Sequence, residues 1–123
     1  GVSGRHQRGA EVFCLNLKSL KLEWKEPIHW MDSFIGREIR LELFRGSFLL
    51  IDGSFLCLSE LGSLLWVEMD EKGWTIKAQK QLFFAPGTWT LPALNQGLLY
   101  VVQNERDRQS NMGPRLICYD LRK

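Results

Sequence analysis

Residues 12–17, VFCLNL, read as a short strand that is apolar on nearly every residue, and the same character returns at 64–69, LLWVEM, and at 116–121, LICYDL. Each copy starts 52 residues after the one before. On this shift Val12 falls with Leu64 and Leu116, Phe13 with Leu65 and Ile117, Leu15 with Val67 and Tyr119, and Leu17 with Met69 and Leu121. The fifth place is polar each time: Asn16, Glu68, Asp120. Agreement of this kind across three copies marks a repeated structural unit, and periods of about this length belong to solenoids, propellers and arrays. One column holds Cys14, Trp66 and Cys118, so it asks for an apolar side chain rather than a thiol.

Working outward, LLIDGSFLCLSE from residue 49 and PALNQGLLYVVQ from residue 92 each place a turn, Asp52-Gly53 or Gln96-Gly97, between apolar runs. Glycine supplies the positive φ that a tight hairpin turn demands, so each stretch is a β-hairpin. KLEW at 21–24 and WTIKAQ at 74–79 follow the opening strands after short polar turns and add a fourth strand. The unit is therefore a four-stranded antiparallel meander. Such units describe a propeller blade, and no stretch carries a convincing 3.6-residue amphipathic pattern. Runs such as SFLLI and SLLWV, apolar on both faces, need cover on both sides, which neighbouring blades provide. The expected fold is all-β, a partial β-propeller. Residues 1–26 supply the last two strands of one blade, 27–45 an insertion, 46–82 a complete blade, and 83–123 an incomplete one.

Two stretches break the regularity. In the insertion, EIRLELF alternates Ile39, Leu41 and Leu43 with Arg40 and Glu42, which predicts an extra exposed strand; His29 and Trp30, if exposed there, would form an interaction edge. The second is NERDRQSNMGP at 104–114, about eight residues longer than its counterpart and read first as a solvated loop.

Composition excludes more than it assigns. With 45% hydrophobic and 24% charged residues the chain is of the folding kind. A formal charge of +2 is too small to argue for a nucleic-acid or membrane partner. No apolar run approaches the roughly 20 residues that span a bilayer. Cys14, Cys57 and Cys118 each sit in an apolar run and read as small buried hydrophobes; with His6 and His29 far apart, no metal site is expected. Trp24, Trp66 and Trp74 belong to the strand pattern and are assigned to packing.

CLNLKSLKLEW, residues 14–24, resembles the tryptophan-docking repeat of the pyrroloquinoline-quinone-type β-propellers, whose pattern runs Ala-x-Asp-x-x-x-Gly-Lys-x-x-Trp. Cys14 takes the Ala place, Asn16 the Asp place and Leu20 the Gly place, while Lys21 and Trp24 match. The order of GRH, DGSFLCLSELGSLLWVE, TWTLPAL and GLLYVVQNE further resembles a group of secreted bacterial proteins with such repeats. The resemblance implies an arc of a ring of roughly seven or eight blades, secreted or periplasmic, whose exposed ends meet the remaining blades of a parent protein or associate with one another. It specifies fold better than activity, because this architecture serves quinone-dependent dehydrogenases as well as cofactor-free scaffolds.

A non-catalytic scaffold or binding module is the expected function, with no cofactor and a protein or small-molecule ligand. The alternative is a partial or degenerate quinone-dependent dehydrogenase using pyrroloquinoline quinone with calcium. The chain lacks the adjacent cysteine pair and the acid cluster that the resemblance leads one to expect of such an enzyme. A third reading is a small independent β-sandwich that folds as a two-sheet monomer. In a meander, the loop after strand two and the entry to strand one leave at the same end. That rule groups Arg5, His6, Trp89, Thr90, Asn104, Glu105 and Arg106 as a basic, aromatic-bearing face suited to a carboxylate or an extended peptide.

Overall fold

A computed structural model of the chain describes residues 2–4 and 10–122. Its regular elements are β-strands in small antiparallel sheets. The first sheet orders β1 (Val2–Gly4), β2 (Ala10–Leu15) and β3 (Leu22–Pro27), and a separate hairpin pairs β4 (His29–Phe34) with β5 (Arg37–Glu42). The second sheet is a four-stranded meander of β6 (Gly46–Ile51), β7 (Ser54–Ser59), β8 (Ser63–Asp70) and β9 (Gly73–Gln81). The third orders β10 (Ala93–Asn95), β11 (Leu98–Gln103) and β12 (Arg115–Asp120). Among the described residues these sheets form an open stack rather than a closed ring.

Both expected hairpin turns form. Asp52 and Gly53 have φ of 48° and 81°, and Gln96 and Gly97 have 49° and 78°. Two successive left-handed residues define the turn whose twist matches that of the flanking strands. The turns set the register. Phe55 faces Val67 and Leu99 faces Tyr119; Leu56 faces Trp66 and Tyr100 faces Cys118. The 52-residue shift therefore holds in the pairing as well as in composition.

Because side chains alternate along a strand, the same shift decides which sheet each residue meets. Leu65 and Val67 of β8 face backward and pack with Val12 and Trp24 of the first sheet. Leu64 and Trp66 face forward onto Leu99 and Val101 of the third. Ile117 and Tyr119, the equivalents of Leu65 and Val67, also face backward, into that second core. The central sheet is thus buried on both faces, as its unbroken apolar strands require. Leu58, Leu65 and Leu99 are fully buried, each stabilising the stack by about 1.5–3 kcal/mol.

The first sheet is fastened to the second at its far corner. The Trp24 indole N–H donates to the Asp70 carbonyl across 2.7 Å, 46 residues away. Asn16 closes the turn after β2, its Oδ1 accepting from the amides of Lys18 and Ser19 at 3.0 and 3.2 Å. Leu20 follows at φ +56°, in the left-handed conformation that glycine would adopt without strain. At the turn after β8 the 52-residue alignment needs correction. The cap there is Asp70, accepting from Lys72 and Gly73 at 2.7 and 3.2 Å, whereas Glu68 forms an ion pair with Lys77 at 3.3 Å. β8 runs two residues further before turning, which preserves the facing of its side chains while displacing the cap.

The region read as an insertion holds two strands where one was expected, because β4 carries no clear alternation and the EIRLELF pattern alone had marked its partner. Nor is the strand an exposed edge. Leu41, Leu43 and Trp30 are buried in the first core with Ile39 packed against it, and His29 lies edge-on to Trp74 at 5.7 Å. Of the interaction edge expected at His29 and Trp30, Trp30 is buried in the core while His29 stays exposed. The Leu43 amide donates to the Ile28 carbonyl at 2.9 Å, closing the hairpin off at its base. The cysteines divide. Cys57 is buried, and burial pushes its thiol up to about 12. Cys14 is half-buried, and Cys118 is exposed on the outer face of the third sheet instead of being buried as expected.

Candidate functional site

The connection from β9 to β10 carries Trp89 and is held at both of its flanks. Phe83 and Ala85 are buried in the second core, and the Leu82 amide donates to the Gly62 carbonyl at 3.0 Å. Pro86 and Gly87, the latter at φ +72°, occupy the centre of a turn that suits this dipeptide, since proline fixes the first φ and glycine accepts the positive second. Thr88 then donates its amide to the Glu60 carbonyl at 3.1 Å. The indole of Trp89 is left 60% exposed.

That exposed ring is nevertheless fixed in orientation. Its Nε1 donates to Glu60 Oε1 at 3.1 Å, and the Arg45 guanidinium lies over the ring, 5.4 Å from its centroid. Arg45 and Glu60 are joined by their backbones, the Glu60 amide donating to the Arg45 carbonyl at 2.9 Å. A cation over an indole contributes about 0.5–1 kcal/mol at an exposed site. With two positions fixed by a hydrogen bond and a stacked cation, the ring loses little side-chain freedom on meeting a ligand.

The longer loop, residues 104–114, is built against this turn and is not the plain solvated loop first read. Asn104 Nδ2 donates to the Gly87 carbonyl. Glu105 lies beside Gly87, where a Cβ would come within 3.3 Å of its Oε1. Asp107, buried, accepts from the amides of Phe84 and Gln109 and from the Ser110 hydroxyl at 3.2, 2.9 and 2.9 Å. Burial raises its pKa, but these donors outweigh that effect and hold the carboxyl below its ordinary value. Behind it, the fully buried Gln103 donates to the carbonyls of Glu105 and Met112, both at 2.7 Å, and accepts from Arg115 Nε at 2.8 Å. Phe34, from the tip of the β4–β5 hairpin, packs on Phe84 with ring centroids 4.3 Å apart.

Of the residues grouped from sequence, Trp89, Asn104 and Glu105 come together around the 85–89 turn, with Thr90 exposed next to the indole. Arg106 turns back on its own loop, donating to the Asn111 carbonyl at 3.4 Å. Arg5 and His6 lie outside the described residues. Sequence reasoning missed Arg45 and Glu60, although a signal was present. The 44-residue offset between the glycines of the two hairpins pairs Arg45 with Trp89 and Glu60 with Asn104. The face is therefore one equivalent pair from each of two adjacent sheets. It combines an aromatic platform with charges of both signs. Among the described residues no cluster of His, Cys, Asp or Glu is arranged to hold a metal ion. Comparison of the chain with protein-family models, with curated proteins and with solved structures gave no match in any of the three.

Proposed function

We propose that the chain is an arc of a β-propeller of the pyrroloquinoline-quinone-like repeat kind, serving as a non-catalytic binding scaffold in a secreted or periplasmic protein. Support for the repeat comes from the turn at 16–24. Asn16 caps it where the pattern has Asp, Leu20 is left-handed where it has Gly, and Trp24 is hydrogen-bonded to the next sheet's turn. The single observation that carries the function is Trp89, exposed yet held between Arg45 and Glu60.

Tryptophan and arginine are the residues in which binding energy concentrates at protein interfaces. A pre-oriented indole with an arginine over it and a buried glutamate holding its Nε1 suits an extended polypeptide laid across the ends of the second and third sheets. Selection of random peptides on the immobilised chain tests this, with each selected peptide re-measured on Trp89→Ala and on Arg45→Ala. The expected result is a loss of at least tenfold in affinity, about 1.4 kcal/mol or more, for Trp89→Ala. Peptides that bind both variants as tightly as the parent would place the ligand face elsewhere.

A further inference from the structure

The turn that joins β2 to β3 shows apolar side chains to water. Leu17 and Leu20 are 81% and 74% exposed at its apex, and Leu22 is 55% exposed at its base. Lys18 and Lys21 stand between them, both exposed, and among the described residues neither ammonium is ion-paired. Residues 16–22 contain no acid. Glu23, which follows, accepts from Asn16 Nδ2 at 3.1 Å.

The turn after β8 takes the same place in the second sheet, which is covered on both faces, yet Asp70, Glu71 and Lys72 are exposed there as well. Exposure at this place therefore belongs to the turn and does not depend on what precedes the first sheet. Turn chemistry does not ask for the leucines either. Asp70 caps its turn as Asn16 does, with the polar Glu71 and Lys72 at the centre. Leu20 even stands at φ +56°, where a glycine would rest unstrained, and its side chain gains no burial in exchange. Strain kept at an exposed position points to use of that side chain outside the fold.

We propose that this tip docks on a bilayer surface containing anionic phospholipid, with Leu17, Leu20 and Leu22 entering the acyl boundary and Lys18 and Lys21 at the headgroups. The apolar cleft of about 380 Å³ between the first and second sheets stops at Leu15 and Trp24 and takes in none of these five side chains, so the tip meets its partner as a projection rather than as a groove. Leucines interleaved with lysines match the layering of such a surface, apolar within and negative at its rim, and the lysine stems let the ammonium groups reach that rim. The chain's total charge of +2 gives no long-range steering, but two lysines with no acid between them add to binding once the tip is within a Debye length. The tip is also preformed. The Asn16 amide donates to the Lys21 carbonyl at 2.9 Å, the Leu20 amide to the Asn16 carbonyl at 2.8 Å, and Trp24 at the base is bonded to the Asp70 carbonyl, so docking orders little chain. This site is independent of the Trp89 face.

Co-sedimentation of the chain with vesicles tests it, comparing phosphatidylcholine alone with phosphatidylcholine containing about one third phosphatidylglycerol. The expected result is a partition coefficient at least tenfold higher on the anionic vesicles, falling as salt is raised. Leu17→Ser combined with Leu20→Gly should lower that binding at least tenfold. Because both side chains are exposed and glycine suits the backbone at 20, this variant keeps its fold, which denaturant unfolding checks. Lys18→Gln combined with Lys21→Gln should bring binding on anionic vesicles down to that on neutral ones. A parent chain that stays in solution with both vesicles overturns the proposal and leaves the tip to a protein partner. So does a leucine variant that binds as the parent does, since the contact would then be charge alone or run through another face.

Discussion

A leucine at φ +56° brings its Cβ close to its own backbone carbonyl, at a cost of about 1–2 kcal/mol for an L-residue in the left-handed region. Leu20 gains little in return, since its side chain is 74% exposed. Its amide is held by the Asn16 carbonyl at 2.8 Å, and Asn16 itself caps the turn, so the geometry is imposed by the neighbours and not by Leu20. Leu20→Gly therefore relieves strain without removing packing. Part of the gain is offset by the greater freedom of glycine in the unfolded chain. The expected outcome is a stabilisation of about 0.5–1 kcal/mol in chemical denaturation, with an unchanged denaturant slope. A destabilised Leu20→Gly would mean that the leucine makes a contact the folded turn depends on.

Among the elements, the loop at 104–114 depends most on one side chain. Asp107 gathers donors from both sides of the connection it closes, and its carboxyl is held below the ordinary aspartate value of 3.8. A group whose folded pKa is depressed stabilises above its unfolded pKa and loses that contribution as the pH falls through the folded one. The loop is thus expected to loosen below about pH 4, seen as a lower amide protection factor, the rate taken relative to the intrinsic one at each pH, at Phe84 and Gln109. Asp107→Asn should make that protection insensitive to pH in this range and cost about 2 kcal/mol of local stability at neutral pH. Unchanged exchange in Asp107→Asn would remove the carboxylate from this role. None of this was legible beforehand, because loop 104–114 has no apolar period and its order comes from buried hydrogen bonds made across sequence. The hairpins were legible for the opposite reason. Asp52-Gly53 and Gln96-Gly97 are local turn chemistry, and the apolar rows beside them fix register without reference to anything distant. Between these extremes lie β4, whose partner betrayed it only in part, and the Arg45–Glu60–Trp89 contact, which required applying the 44-residue offset to charged residues as well as to glycines.

The three sheets share one pattern, yet the two ends of the stack differ in surface chemistry. On the outer side of the first sheet, Glu11 and Lys25 form an ion pair at 2.9 Å across β2 and β3. Charges of this kind keep an outer sheet face from pairing. The outer side of the third sheet carries Tyr100, Val102, Leu116 and Cys118, in the forward-facing columns that the next sheet covers elsewhere, with Leu116 68% exposed. A net charge of +2 supplies little repulsion to keep such faces apart. Contiguous apolar surface of this sort drives association. Sedimentation over a hundredfold range of concentration should therefore show reversible self-association of the chain. Leu116→Lys should shift the distribution to the monomer by at least tenfold in dissociation constant, while leaving thermal unfolding of the monomer within about 0.5 kcal/mol, as expected of a surface change. Lys18→Ala, in the exposed turn after β2, serves as the comparison and should leave association unchanged. If Leu116→Lys associates as the parent does, contact between copies runs through another surface, and the forward-facing column of the third sheet tolerates water despite its composition.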